Sequence, residues 1–171
     1  MAFCEISCEE FVVAPIRILA RDRMLLTAEG ADGKLNSMTV GWGGLGVMWG
    51  KPVVFYGVRP ERYTHDLTES GISVSLSAFS LSDAGLLSYF GTHSGRNLDK
   101  YAAAQLTPIR MPDGGIGFAN ATLVLTAEKC YSAPICGDGF RNAALDGIWY
   151  PKKDYHTLYF SVIRSIYQYI E

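Results

Sequence analysis

The chain has 171 residues, of which 49% are hydrophobic and 19% charged, with a formal net charge of −2 and a pI near 5.9. That length and apolar content predict one domain, residues 1–171, with a sizeable core, and exclude a disordered chain. No basic excess is present to neutralise nucleic-acid phosphates, and no polybasic or lipidation signal points to a membrane surface.

The first ten residues, Met1 to Glu10, lack a basic segment followed by a continuous apolar one, so they do not read as a signal peptide. The uncharged run between Lys34 and Lys51 has 16 residues and five glycines, which is short and poor for a transmembrane helix. A cytoplasmic protein is the expectation. Cys4, Cys8, Cys130 and Cys136 are spaced x3 and x5, which is not a usual zinc-ligand pattern. They read as reduced structural cysteines, and no metal is expected.

Phe11 to Leu19 and Met24 to Ala28 read as strands parted by Arg21-Asp22-Arg23, with a turn at Ala31 to Lys34. The next segment runs Asn36-Ser37-Met38-Thr39-Val40-Gly41-Trp42-Gly43-Gly44-Leu45-Gly46. Ser37 to Gly41 reads as a strand that opens into a glycine-rich turn. Glycines let a ligand approach the main chain, and Ser37 and Thr39 can donate or accept hydrogen bonds. Such a surface suits a flat aromatic ligand; the plain alternative is a strand running into a turn. The segment lacks both the GxGxxG dinucleotide fingerprint and the GxxxxGK[ST] phosphate loop.

Pro52 to Val58 is a β-branched and aromatic strand, broken by Arg59-Pro60. Pro60 is able to start a short helix through Ser70. The run Arg59-Pro60-Glu61-Arg62-Tyr63-Thr64-His65 offers a phosphate or an acidic partner two arginines, a hydroxyl and a histidine; ion pairs of Arg62 with Glu61 or Asp66 are an equally simple reading. Ile72 to Ser77 alternates strictly, as a half-buried strand does.

Leu81 to Phe90 and Arg96 to Ala104 read as helices. Between and within them lies Gly91-Thr92-His93-Ser94-Gly95-Arg96-Asn97-Leu98-Asp99-Lys100. If Arg96 opens a helix, its free N–H groups favour an anion, and Arg96 and Lys100 share a face. That makes a phosphate cradle; a capped surface helix with solvated charges fits equally well.

Met111 to Gly117 is a turn, Ala121 to Tyr131 a strand, Ser132 to Leu145 irregular and exposed, and Tyr155 to Ile166 a long closing strand. His156 opens that strand and either faces a ligand or fixes the structure. No metal-ligand cluster and no GxSxG elbow supports hydrolysis. Six or more strands with few short helices predict a mainly β (α+β) antiparallel barrel with short helical insertions.

Together these segments resemble the flavin reductase-like proteins with an FMN-binding split β-barrel, above all the flavoredoxin-like branch, from about Pro15 to Ile166. Asn36 to Thr39 with Trp42-Gly43-Gly44 resembles that family's N-[ST]-M-T-x-x-W-G-G segment. Val58-Arg59-Pro60 with Arg62-Tyr63-Thr64 resembles V-R-P-x-R-Y-T. Thr92 to Arg96 with Asp99-Lys100 resembles [TH]-S-G-R-D-V-D-K-F, and Asp154 to Tyr159 resembles D-x-H-T-[LM]-Y. Asn97, Leu98, Tyr101 and Ser161 depart from the pattern, and Ser161 bears on the second-substrate pocket.

The resemblance implies an FMN-binding homodimer with each flavin near the subunit interface. On it, Ser37, Met38, Thr39 and Val40 line the isoalloxazine edge with backbone groups and the Thr39 hydroxyl, beside Trp42. Arg59, Tyr63 and Thr64 help hold the ribityl-phosphate. Ser94, Arg96 and Lys100 hold the phosphate or its approach, and His156 orients flavin or the second substrate. The expected activity moves electrons from NADH or NADPH through FMN to a flavin or another acceptor. The alternatives are a non-enzymatic FMN electron carrier serving partner proteins, and a small barrel for a different aromatic ligand.

Overall fold

The computed structural model describes residues 2–170. Among them ten strands form: β1 (Ala2–Ile6), β2 (Met24–Glu29), β3 (Leu35–Val40), β4 (Gly43–Met48), β5 (Lys51–Val58), β6 (Ser73–Ala78), β7 (Pro108–Arg110), β8 (Ile116–Phe118), β9 (Leu123–Pro134) and β10 (Thr157–Ile170). The helices are α1 (Tyr63–Ser70), α2 (Ala84–Thr92), α3 (Lys100–Ala103) and α4 (Ala143–Trp149).

Eight strands make one antiparallel sheet in the order β3-β2-β6-β9-β10-β5-β4, with β1 also paired to β10. β10 is long enough to serve two neighbours along one edge: its first half pairs β5 and its last residues pair β1, while β9 runs along its other side. The hydrogen-bonded path does not close between β3 and β4, so the curled sheet is a split barrel with a seam.

Strand alternation builds two cores from one sheet. Met24, Leu26 and Ala28 of β2 point into the barrel with Val54, Tyr56, Leu76, Leu125 and Tyr159. Leu25, on the opposite face of β2, packs under α2 and the β7–β8 hairpin with Phe90, Phe118, Val124 and Tyr167. Both faces of β2 are therefore buried, without a break from Met24 to Ala28.

Four sequence expectations need correction. Phe11 to Leu19 is not a strand: the chain turns helical at Pro15 and runs as a π-helix over Arg17–Asp22. Only Phe11, Ile18 and Leu19 of that stretch reach the barrel core, while Val12 and Ile16 are exposed. The glycine-rich segment after Trp42 is strand β4, not a turn; a Cβ at Gly44 would lie 2.6 Å from the Phe55 ring across the ladder, so small residues let the strands meet. Arg96 to Ala104 is helical only over Lys100–Ala103, because the Asp99 carboxylate accepts from the Tyr101 and Ala102 N–H groups and starts the helix there. The stretch read as irregular, Ser132 to Leu145, holds the end of β9 and the start of α4.

Gly71 ends α1 where the chain presses on β2: a Cβ there would sit 1.9 Å from the Glu29 carbonyl oxygen. Because that neighbour is backbone, no rotamer relieves the clash. Gly71→Ala is expected to lower stability by about 1–3 kcal/mol. Gly85→Ala, in α2 with open space around it, is expected to be neutral or slightly stabilising. Urea unfolding of both variants checks the contrast.

Candidate functional site

The seam leaves β3 with a free edge. β2 pairs one side of β3, and the Ser37 carbonyl points to the other, where it accepts from Lys100 Nζ at 2.5 Å. Alternation along a strand puts the Thr39 N–H and C=O on that same free edge. A cavity of about 490 Å³ opens beside it, lined by Met38 to Trp42, Gly57, Gly91 and His156.

Trp42 lies against His156 at a tilt of 32° with ring centres 4.7 Å apart and meets Trp149 edge-on at 5.0 Å. His156 Nδ1 is 2.9 Å from the Tyr150 hydroxyl. Gly57 flanks the imidazole on another side. Burial first, and the Arg59 guanidinium second, push His156 down to about 4 against the opposing pull of Asp154, so the ring is neutral at pH 7.

The second end of the groove is cationic. Thr92, Ser94, Tyr63, Thr64, Arg62 and Lys100 line a small cleft of about 70 Å³, which adjoins an open depression of about 560 Å³ flanked by Arg96 and Lys34. Gly91 lines the ring end and Thr92 the cationic end, while β3 passes from Asn36 at one to Thr39 at the other. Three strand residues span roughly 10 Å, so one elongated ligand reaches both.

Lys100 is 2% exposed, and its ammonium has two carbonyl partners, Ser37 and His93, with no carboxylate among the described residues. Burial, with Arg62 adding repulsion, lowers it to about 8. Arg96 lies over the Tyr63 ring and pairs with Asp66 at 2.7 Å.

The structure thus brings most expected site residues to one groove but gives several of them other bonds. The Ser37 hydroxyl is buried between Thr27 Oγ1 (2.7 Å) and the Tyr101 hydroxyl (2.8 Å). The Thr39 hydroxyl donates to the Leu87 carbonyl of α2, leaving backbone rather than hydroxyl for a ligand. Met38 and Val40 send their side chains into the barrel core. Arg59 stands apart from the cationic end: it pairs with Asp154, donates to the Trp149 carbonyl at 2.8 Å and lies over Tyr150.

Arg96 does not open a helix, so it shares no helical face with Lys100. Arg62, read as a partner of Glu61 or Asp66, instead caps α2 by donating to the Gly91 and Phe90 carbonyls. Ser161 lies inside the barrel, its hydroxyl 3.1 Å from that of Tyr56, and does not face the cavity. Sequence reasoning offered Arg62 to a phosphate as one of two arginines without assigning it a role, and it gave Tyr150 none. The four cysteines are exposed and free rather than core residues.

His156 gives a stability prediction. Its pKa is lower folded than unfolded, so between about 4 and 6.5 the unfolded chain binds more protons and stability falls as pH drops through that window. His156→Asn is expected to lose less stability than the wild type between pH 7 and pH 4.5, measured by urea midpoints at both values.

No protein-family model matches the sequence, and no curated protein matches it. Solved structures match in three dimensions. Flavoredoxin of Desulfovibrio vulgaris (Miyazaki F) aligns with a TM-score of 0.66 at 17% identity, over 95% of this chain and 75% of its own. An FMN-binding domain of a flavin reductases-like enzyme from Shewanella baltica OS155 reaches 0.69 at 11% identity, over 98% and 77%. An NADH:FAD oxidoreductase of Streptomyces globisporus C-1027 reaches 0.64 at 14% identity, over 86% and 75%. At these identities the likeness establishes architecture: the chain has the split β-barrel fold of flavoredoxin and the flavin reductase-like FMN-binding proteins.

Proposed function

We propose that this chain binds FMN and works as an NAD(P)H-dependent oxidoreductase that passes electrons through the flavin to a free flavin or another acceptor. The observation that carries this reading is the groove itself, with an open strand edge and a neutral histidine packed against Trp42 at one end and Arg62, Lys100, Arg96 and Lys34 at the other. FMN fits that donor set. A flat ring takes backbone N–H and C=O groups along β3, and a phosphate supplies the negative charge that the buried Lys100 ammonium lacks.

On this reading the Thr39 backbone on the free edge and the Trp42 indole hold the ring, while Met38 and Val40 only fix β3 to the barrel core behind it. Ser94, Arg96 and Lys100 hold the phosphate with Tyr63, Thr64 and Arg62. FMN, when bound, supplies acceptance of two electrons as a hydride and their release singly or in pairs. The protein orients the ring against β3, walls it with Trp42 and presents His156 as a neutral hydrogen-bonding group. The mouth beside Trp42 and Trp149, each about half exposed, leaves room for a nicotinamide.

A second reading, an FMN electron carrier for partner proteins, is favoured by those same exposed indoles at the mouth and by the likeness to flavoredoxin. Steady-state reduction of free FMN by NADH or NADPH separates the two. The exposed free cysteines agree with a reducing, cytoplasmic setting.

Extraction and chromatography of the cofactor test the proposal directly; stoichiometric FAD, or no affinity for any flavin, would overturn it. Arg96→Ala is expected to weaken FMN binding by about 10-fold, since the arginine is half exposed and shared with Asp66, while riboflavin binding changes much less. Equal losses for both ligands would indicate a general defect instead.

A homodimer belongs to the same proposal. Trp49, Tyr131, Phe160 and Phe55 form one aromatic cluster on the outer face of β4, β5, β9 and β10, with Val47 and Met48 exposed beside it. Sedimentation at micromolar concentration is expected to give about twice the 18.8 kDa chain mass. An FMN-loaded monomer would contradict it.

A further inference from the structure

We propose that Tyr150 is the positioning residue for His156, holding the imidazole at Nδ1 so that Nε2 carries the proton and presents an N–H donor to the cavity. Tyr150 follows the last turn of α4 and is 2% exposed. Its hydroxyl is 2.9 Å from His156 Nδ1. The phenol stays protonated, raised by burial despite the opposing effect of Arg59. A phenol is a stronger hydrogen-bond donor than acceptor toward an imidazole nitrogen, and with the bond in that direction Nδ1 is the acceptor.

The remaining nitrogen is available. Among the described residues His156 Nε2 has no hydrogen-bond partner and is not a buried orphan, and the ring lines the cavity beside β3. Trp42 packed on one side, its ring centre 4.7 Å away, and Gly57 close on another keep the ring from turning.

Tyr150 is itself fixed from behind. Arg59, at the end of β5, lies 5.2 Å over its ring while bonding Asp154 and the Trp149 carbonyl. Tyr155 packs 4.8 Å from it. The segment carrying Tyr150 is therefore pinned to the sheet on both sides of that residue, and Arg59 acts here rather than on a phosphate.

The ligand group that meets such a donor is an acceptor oxygen, either a ring carbonyl of the bound cofactor or the carboxamide of its reductant. This last step rests on the FMN reading; the tautomer does not. The first measurement is therefore made without ligand. Nitrogen-15 NMR of histidine-labelled protein, with His156 assigned through His156→Gln, is expected to show the proton on Nε2 in the wild type and a mixture of tautomers in Tyr150→Phe. A proton on Nδ1, or no change in Tyr150→Phe, would overturn the proposal, and the wild-type spectrum decides even if the variant folds poorly.

The second measurement is kinetic. Tyr150→Phe is expected to slow reduction of FMN-loaded protein by NADH or NADPH about 10-fold with FMN affinity within about 3-fold. In a His156→Gln background the same substitution is expected to cost less than about 2-fold. Additive losses would assign Tyr150 a role apart from His156. A protein that takes up no flavin would sink the functional reading, while the ligand-free spectra would still decide the positioning.

Discussion

The Lys100 ammonium sits 2.5 Å from the Ser37 carbonyl on the free edge of β3, and the groove takes its form from that contact. A second bond, to the His93 carbonyl, draws the loop before α3 against the strand, and the charge also lies 4.9 Å from the Phe90 ring. Burying a cation without a carboxylate is costly, and its lowered pKa records the cost. The contact also covers part of an edge that would otherwise offer unpaired backbone groups to another chain. One side chain thus protects the seam and sets a positive potential at its cationic end.

The seam in turn follows from how β10 is shared. A 14-residue strand that pairs β9 throughout, β5 at its start and β1 at its end leaves β3 and β4 as termini of the hydrogen-bonded path. Two departures from regular register, an extra residue at Cys130 in β9 and one at Arg164 in β10, bend the paired strands. The barrel interior is closed by stacked Tyr56 and Tyr159, whose hydroxyls bond Ser161 and Glu69. The cavity beside β3 is therefore a surface groove along the seam, separate from the barrel lumen.

Much of the sheet was legible from the sequence because alternation survives wherever one face is buried. Ile72 to Ser77 and the β-branched run before Val58 read correctly as strands, although β6 is buried on both faces rather than half-buried, with Ser75 and Ser77 as enclosed as Leu76. Phe11 to Leu19 misled because its apolar residues match a strand in number, while only Phe11, Ile18 and Leu19 find the core. Arg96 to Ala104 misled because helix-forming residues precede Asp99, whose side chain caps a later start. At the site, the motif order located Trp42, Ser94, Lys100 and His156 along the groove but assigned Arg59 to the wrong neighbours, and it passed over Tyr150, an ordinary-looking tyrosine at the end of an unexpected helix.

The order and period of apolar residues, with four short motifs, determined the fold class and the residue types that meet at the seam. Only the tertiary structure decided how each of those residues spends its hydrogen bonds. The Arg59–Asp154 pair is 95 residues apart, Asn36 and Thr64 are 28 apart, and Tyr56 and Ser161 are 105 apart. Patterning is a local property that a strand or helix imposes on its own residues. Partner choice depends on which elements the closed core brings within 3 Å, and no local pattern encodes that distance.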